Sequence, residues 1–128
     1  MVSRLSRVFF ALCAGACAGR AIRVPDDVSG YEIVVTGRDS VSRAFARELA
    51  GQGFHVRSKV RGGTRPAAVL VHFVFREDAG STPVLYGRLS DTRSGRIIAA
   101  AEIPLDTTRA AERDSVPALV RALSAKPS

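Results

Sequence analysis

Two histidines, His55 and His72, are the only imidazoles in this chain of 128 residues. His55 stands in an alternating apolar–polar run (FHVRSKV), His72 in the most apolar strand (AAVLVHFVFR), and Glu102 in a third strand. An imidazole can act as general base or metal ligand near neutral pH. A structural or catalytic zinc site needs at least three protein ligands at set distances, and the spacing of His55, His72 and Glu102 fixes none. No metal site and no cofactor are expected. A Cys-His nucleophile is excluded in the body, because the only cysteines are Cys13 and Cys17. No serine lies in the strand–turn–helix elbow that exposes a nucleophile. Gly37-Arg38-Asp39 has one of the glycines of a dinucleotide-binding turn and lacks the rest; Asp39 would repel a phosphate and is better suited to capping a helix. No catalytic residue is assigned, and the chain is not expected to be an enzyme.

What remains is charge. The chain carries 19 basic against 12 acidic residues, a net +7, and Lys59 and Lys126 are its only lysines. His55, Arg57, Lys59, His72, Arg76, Tyr86 and Arg88 can project from one side of adjacent strands, a candidate face for an anionic ligand or a protein. Arginine stems also cover apolar area on any polar sheet face. A basic sheet bearing aromatics can be an RNA platform, but the motif of such platforms is absent and no nucleic acid is expected.

The amino terminus supplies an address. Residues 1–19 (MVSRLSRVFFALCAGACAG) hold Arg4 and Arg7, then a short apolar run, then small residues around Cys17. This is the layout of an export signal with a processing site; the apolar stretch is well short of the roughly 20 residues a spanning helix needs. Ala14-Gly15-Ala16-Cys17 fits a lipobox, where a lipoprotein precursor is lipidated on cysteine and cut before it. Ordinary cleavage after Ala16 or Ala18 is the alternative. Cys13 would leave with the signal, so no disulfide can staple the body. Loss of Arg4 and Arg7 leaves 17 basic residues against 12 acidic.

Residues 20–30 (RAIRVPDDVSG) show no period and read as a tether, leaving residues 31–128 as one domain. Residues 31–37 form a strand closed by glycine. Asp39 or Ser40 caps a helix lined by Val41, Ala44, Phe45, Ala46 and Leu49 and stopped by Gly51 and Gly53. Four further strands are expected at residues 54–60, 67–76, 84–90 and 96–105, and a final helix capped by Asp114 or Ser115 with Pro117 in its first turn. The order is β-α-β-β-β-β-α. Short turns make the last four strands an antiparallel meander, with the first strand parallel to one of them. This is an α+β fold: a mostly antiparallel five-stranded sheet with two helices on one face. Val69, Val71, Phe73 and Phe75 are read as the core side of their strand, which leaves His72 with Leu70, Val74 and Arg76 on the open side.

Leu49-Ala50-Gly51-Gln52-Gly53-Phe54 at the helix end and Leu89-Ser90-Asp91-Thr92-Arg93-Ser94-Gly95-Arg96-Ile97 resemble motifs of a group of small periplasmic lipoprotein domains. The group includes the TolB amino-terminal domain, CsgG-like proteins of curli secretion and penicillin-binding-protein activator lipoproteins. The resemblance spans residues 31–105. It implies a helix packed on a small sheet, an Asp…Gly hairpin, and an envelope accessory that works by binding. The expectation is a periplasmic lipoprotein held by Cys17, at the outer membrane because Ala18 is not an aspartate, with an envelope complex or an anionic envelope component as partner. The alternative is a soluble secreted basic domain that binds anionic ligands.

Overall fold

The computed structural model describes residues 20–23, 27–63, 65–105 and 111–125. The signal segment and Cys17 lie outside them. The elements are β1 (Arg20–Arg23), a 3-10 turn (Val28–Gly30), β2 (Glu32–Val34), α1 (Ser40–Gly51), β3 (Val56–Arg57), β4 (Ala67–Phe75), β5 (Val84–Asp91), β6 (Ile97–Pro104) and α2 (Ala111–Ser124). They form one mixed sheet in the order β1-β6-β5-β4-β2-β3, with both helices against one face. The α+β class and the helix–sheet layering match the sequence reading.

Three details of that reading are corrected. The sheet has six strands, because Arg20–Arg23, a tether by its sequence, pairs antiparallel with β6, and Val28 beyond it is buried. The antiparallel meander holds three strands and not four. β3 pairs parallel with β2, and β4 pairs parallel with the other side of β2. Residues 58–66 make this possible: they must cross two strand spacings, about 10 Å, and so short a strand as β3 leaves little length to retrace. Finally, α2 begins at Ala111, so Pro117 sits inside the helix and not in its first turn.

The two motifs at element ends have clear physical causes. At the end of α1, Gly53 takes φ +95°, its N–H bonds to the Ala50 carbonyl at 3.0 Å, and the Phe54 N–H reaches back to Leu49 at 3.1 Å. This is a Schellman cap, which needs glycine at the left-handed position and an apolar residue after it. In the β5–β6 hairpin, the Asp91 carboxylate accepts from the Arg93 N–H at 2.8 Å and the Ser94 N–H at 3.1 Å. Gly95 takes φ +73°. The Tyr31 hydroxyl adds a bond to Asp91 at 3.0 Å, which ties the hairpin to the start of β2. These bonds hold the Asp91 carboxyl below the usual range, the Ser94 N–H foremost.

The core lies between the sheet and the helices. Ile33, Ala68, Leu70, Leu85, Leu89, Ala99, Ala101 and Ile103 meet Phe45 and Leu49 of α1 and Val116, Leu119, Val120 and Leu123 of α2. Small residues set the closeness of the layers. A Cβ on Gly87 would stand 3.0 Å from Leu119 Cδ2, so α2 rests almost on the backbone of β5.

Candidate functional site

Strand parity decides which side chains are available, and it runs opposite to the sequence reading. Ala68, Leu70, Leu85, Gly87 and Leu89 are buried toward the helices. The other parity, with Val69, Val71, Phe73 and Phe75 on β4 and Val84, Tyr86, Arg88 and Ser90 on β5, therefore forms the open face. Phe73, a core residue by the sequence reading, is 46 % exposed.

On that face the cross-strand pairs are Val71–Arg88, Phe73–Tyr86 and Phe75–Val84, continued onto β6 by Ala100, Glu102 and Pro104. The Phe73 ring lies 4.8 Å from Tyr86 and 6.1 Å from Phe75, centroid to centroid. Aromatic contacts of this kind add roughly 0.5–1.5 kcal/mol each, so the cluster is ordered although one side is wet. Arg88 stands beside it, one row along β5 and opposite Val71. The Arg88 Nε is enclosed yet has no hydrogen-bond partner, and the neighbour across the next strand, Ala100, offers none. An enclosed donor without an acceptor costs about 1–3 kcal/mol; an added carboxylate or phosphate oxygen would remove that cost only where the Arg88 side chain turns outward to meet it.

The seven candidate binding residues separate. Arg57, Tyr86 and Arg88 share the open face, but Arg57 is already engaged: its Nε lies 2.9 Å from Glu32 Oε2. Arg65 approaches the same carboxylate at 3.7 Å. His55 and Lys59 flank the sheet edge at β3, where, with Val56, Arg57, Ser58 and Arg61, they line a hollow of about 390 Å³. Arg76 is exposed in the turn after β4.

His72 is not on the open face. It lies half-buried under α1, its ring 4.9 Å from that of Phe45 and its Nε2 2.9 Å from Ser42 Oγ. Asp39 caps α1 by accepting from the Ser42 N–H at 2.9 Å and from the Ser42 hydroxyl at 2.7 Å. These two bonds hold the Asp39 carboxyl at about 2, below its ordinary 3.8. Serine, histidine and aspartate are thus in contact, but in the wrong order for nucleophilic catalysis. The one hydroxyl proton of Ser42 goes to the ionised Asp39, so His72 must donate to Ser42 and does not withdraw its proton. Ser42 is also 2 % exposed. The cluster locks the start of α1 onto β4. A Cβ on Gly37 would collide with Ser42 Oγ, which explains the glycine before the cap.

Sequence reasoning missed a second basic hollow. Ser40, Arg43, Ala46 and Arg47 of α1 and Arg113 of α2 surround about 470 Å³. Arg43 and Arg47 are four apart on one helix face, a repulsive spacing for like charges; that i, i+4 arginine pair was the available signal. Among the described residues, no three His, Cys, Asp or Glu side chains converge as a metal site, and no helix is long and apolar enough to cross a membrane.

No family model and no curated protein matches the chain. Among solved structures it is similar to a chain of a single-substitution variant of the PelC dodecamer from Paraburkholderia phytofirmans, at 17 % identity and a TM-score of 0.49, over 83 % of this chain and 95 % of that one.

Proposed function

We propose that this chain is a membrane-anchored, non-catalytic binding accessory of the bacterial cell envelope, lipidated at Cys17 and contacting a protein partner through the centre of its open sheet face. The observation that carries the binding role is the enclosed, unpartnered Arg88 Nε beside Val71 and Tyr86. Such a surface is suited to a partner that supplies apolar area with a carboxylate at its centre. The export layout of residues 1–19 carries the address. The resemblance to envelope lipoproteins, with Ala18 rather than aspartate after Cys17, supports periplasmic placement at the outer membrane.

A photo-crosslinking residue at Ser90, on the open face next to Arg88, tests the face in intact cells. The expected result is a discrete adduct, lost on Arg88→Glu and retained on Arg47→Glu. An adduct indifferent to Arg88→Glu removes the proposal for this face. Cys17→Ser tests the anchor: the protein should leave the membrane fraction, and unchanged retention counts against lipidation.

A second reading, a secreted basic domain that binds anionic ligands, is favoured by the Arg43–Arg47–Arg113 hollow. It predicts instead that Arg47→Glu is the damaging change.

A further inference from the structure

The register of β1 determines which end of the sheet an anchored Cys17 must face. Arg20 pairs with Glu102, Glu102 with Tyr86, and Tyr86 with Phe73. The first residue of β1 therefore stands in one row with the most exposed aromatic of the open face. β1 runs antiparallel to β6, toward Ala100. β1 consequently starts toward the end of the sheet where Phe75, Val84, Pro104 and the turn of residues 76–83 lie. Three peptide steps separate Cys17 from Arg20, a reach of at most about 11 Å. An anchor on Cys17 then lies within that distance of Arg20, whose row reaches Phe73 three strand spacings, about 14 Å, away.

Two of the three most exposed apolar side chains, Phe73 and Val74, lie at this end, and the third, Val60, lies in the segment joining β3 to β4. Among the described residues only Val60, Phe73 and Val74 are large, hydrophobic and strongly exposed, at 57 %, 46 % and 38 %. Phe73 and Val74 are consecutive, so they emerge on opposite sides of the β4 end. Neither partner strand nor helix covers both. Charge at this end is nearly balanced: Arg76 is met by Glu77 and Asp78, all exposed. The opposite end differs. Lys59, Arg61, Arg65, Arg93 and Arg96 gather around the β5–β6 hairpin and the segment joining β3 to β4, where the Arg93 guanidinium donates to the Gly63 carbonyl. The hairpin lies at least about 17 Å further along the strands from the Phe73 row.

We infer that the domain is held with its β4–β5 turn against the lipid surface, Phe73 and Val74 entering the headgroup region, and the basic hairpin end directed into the aqueous compartment. This rests on the anchor reading for Cys17 and deepens it by giving the bound orientation. The contact is apolar, because the turn carries no net positive charge to draw anionic lipid. It leaves the Arg88 centre of the open face accessible from the side.

Single-cysteine labelling of the full, processed chain tests the orientation. A lipidated Cys17 is a thioether and takes no thiol dye, so Thr82→Cys and Ser94→Cys each accept one label. The labelled protein is placed on phosphatidylcholine vesicles containing a lipid with a shallow nitroxide quencher. The label at residue 82 should be quenched several-fold more than that at residue 94. Phe73→Ser with Val74→Ser should reduce this difference while the protein stays on the vesicles. Equal or reversed quenching with one label per chain overturns the orientation and leaves the anchor standing. A difference that appears only with anionic lipid also overturns the apolar contact. Two labels per chain, or no vesicle association, overturns the anchor and the orientation with it.

Discussion

The two faces of the sheet are built by the same strands and have opposite architectures. The helix-covered face is built from small and medium residues: Ala68, Gly87, Ala99 and Ala101 among Leu70, Leu85, Leu89 and Ile103. The open face has the bulkier set, with Val69, Val71, Phe73, Phe75 and Tyr86. Both volume and polarity separate them, since the open face also carries Arg57, Arg88, Ser90 and Glu102. A helix approaches a sheet closely only where the strands present small side chains, since the layers must interdigitate at interior packing density. Large apolar side chains on the uncovered face then hold one another in a layer one side chain deep, and that layer is the surface the proposed partner would meet.

The sharpest way to break this comparison is to truncate one aromatic on each side. Phe45, fully buried on α1, should cost about 3–5 kcal/mol on Phe45→Ala. Phe73→Ala should cost less, about 1–3 kcal/mol, the scale of its two ring contacts. Urea denaturation of the two variants checks both values. A Phe73→Ala loss as large as that of Phe45→Ala would mean that the open face is a second core.

The next effect is smaller and concerns how the covered face is fastened. Gly37→Ala forces a methyl against Ser42, and overpacking of this kind costs about 1–3 kcal/mol. Ser42→Ala removes the link from His72 to Asp39, and His72 loses its acceptor, at about 1–3 kcal/mol. The double variant should cost clearly less than the two losses added, because the Oγ nearest the new methyl is gone. Additive losses in a double-mutant cycle would show that the glycine answers to something other than Ser42.

How far the sequence discloses these faces depends on the element. The bounds of α1, β4, β5 and β6 are legible to within a residue or two, because each is a periodic or continuous apolar run that ends in a defined turn. The Asp91…Gly95 hairpin and the Gly53 cap are legible because each needs particular residue types at fixed offsets. The facing of β4 is not. Both parities of AAVLVHFVFR are apolar, and the bulkier one has the stronger look of a core. Gly87, between Leu85 and Leu89, holds the answer, since a glycine in mid-strand marks a close approach of another layer. β3 reads too long because alternation in FHVRSKV persists past the two residues that find a partner. His72 goes astray with its strand, and Ser42, a serine on the buried side of a helix, has no apolar signal to reveal it.

The smallest effect bears on whether the lock of α1 is electrostatic or only geometric. Asp39 titrates at about 2 in the folded chain, held there first by the Ser42 hydroxyl and then by the Ser42 N–H, against an ordinary 3.8. A carboxyl depressed by folding stabilises fully above its unfolded pKa, and that contribution is lost as pH falls through the folded one. Asp39→Asn keeps a capping acceptor without the charge. The stability difference between wild type and variant should therefore be constant above about pH 4 and shrink steadily toward pH 2. Asp91 is depressed as well, but it is present in both proteins and cancels in the difference. A difference that does not change across that window would assign the lock to hydrogen-bond geometry alone. The covered face would then be fastened by packing and neutral hydrogen bonds, and the contrast with the open face, where the Arg88 Nε stands enclosed without an acceptor, would be sharper still.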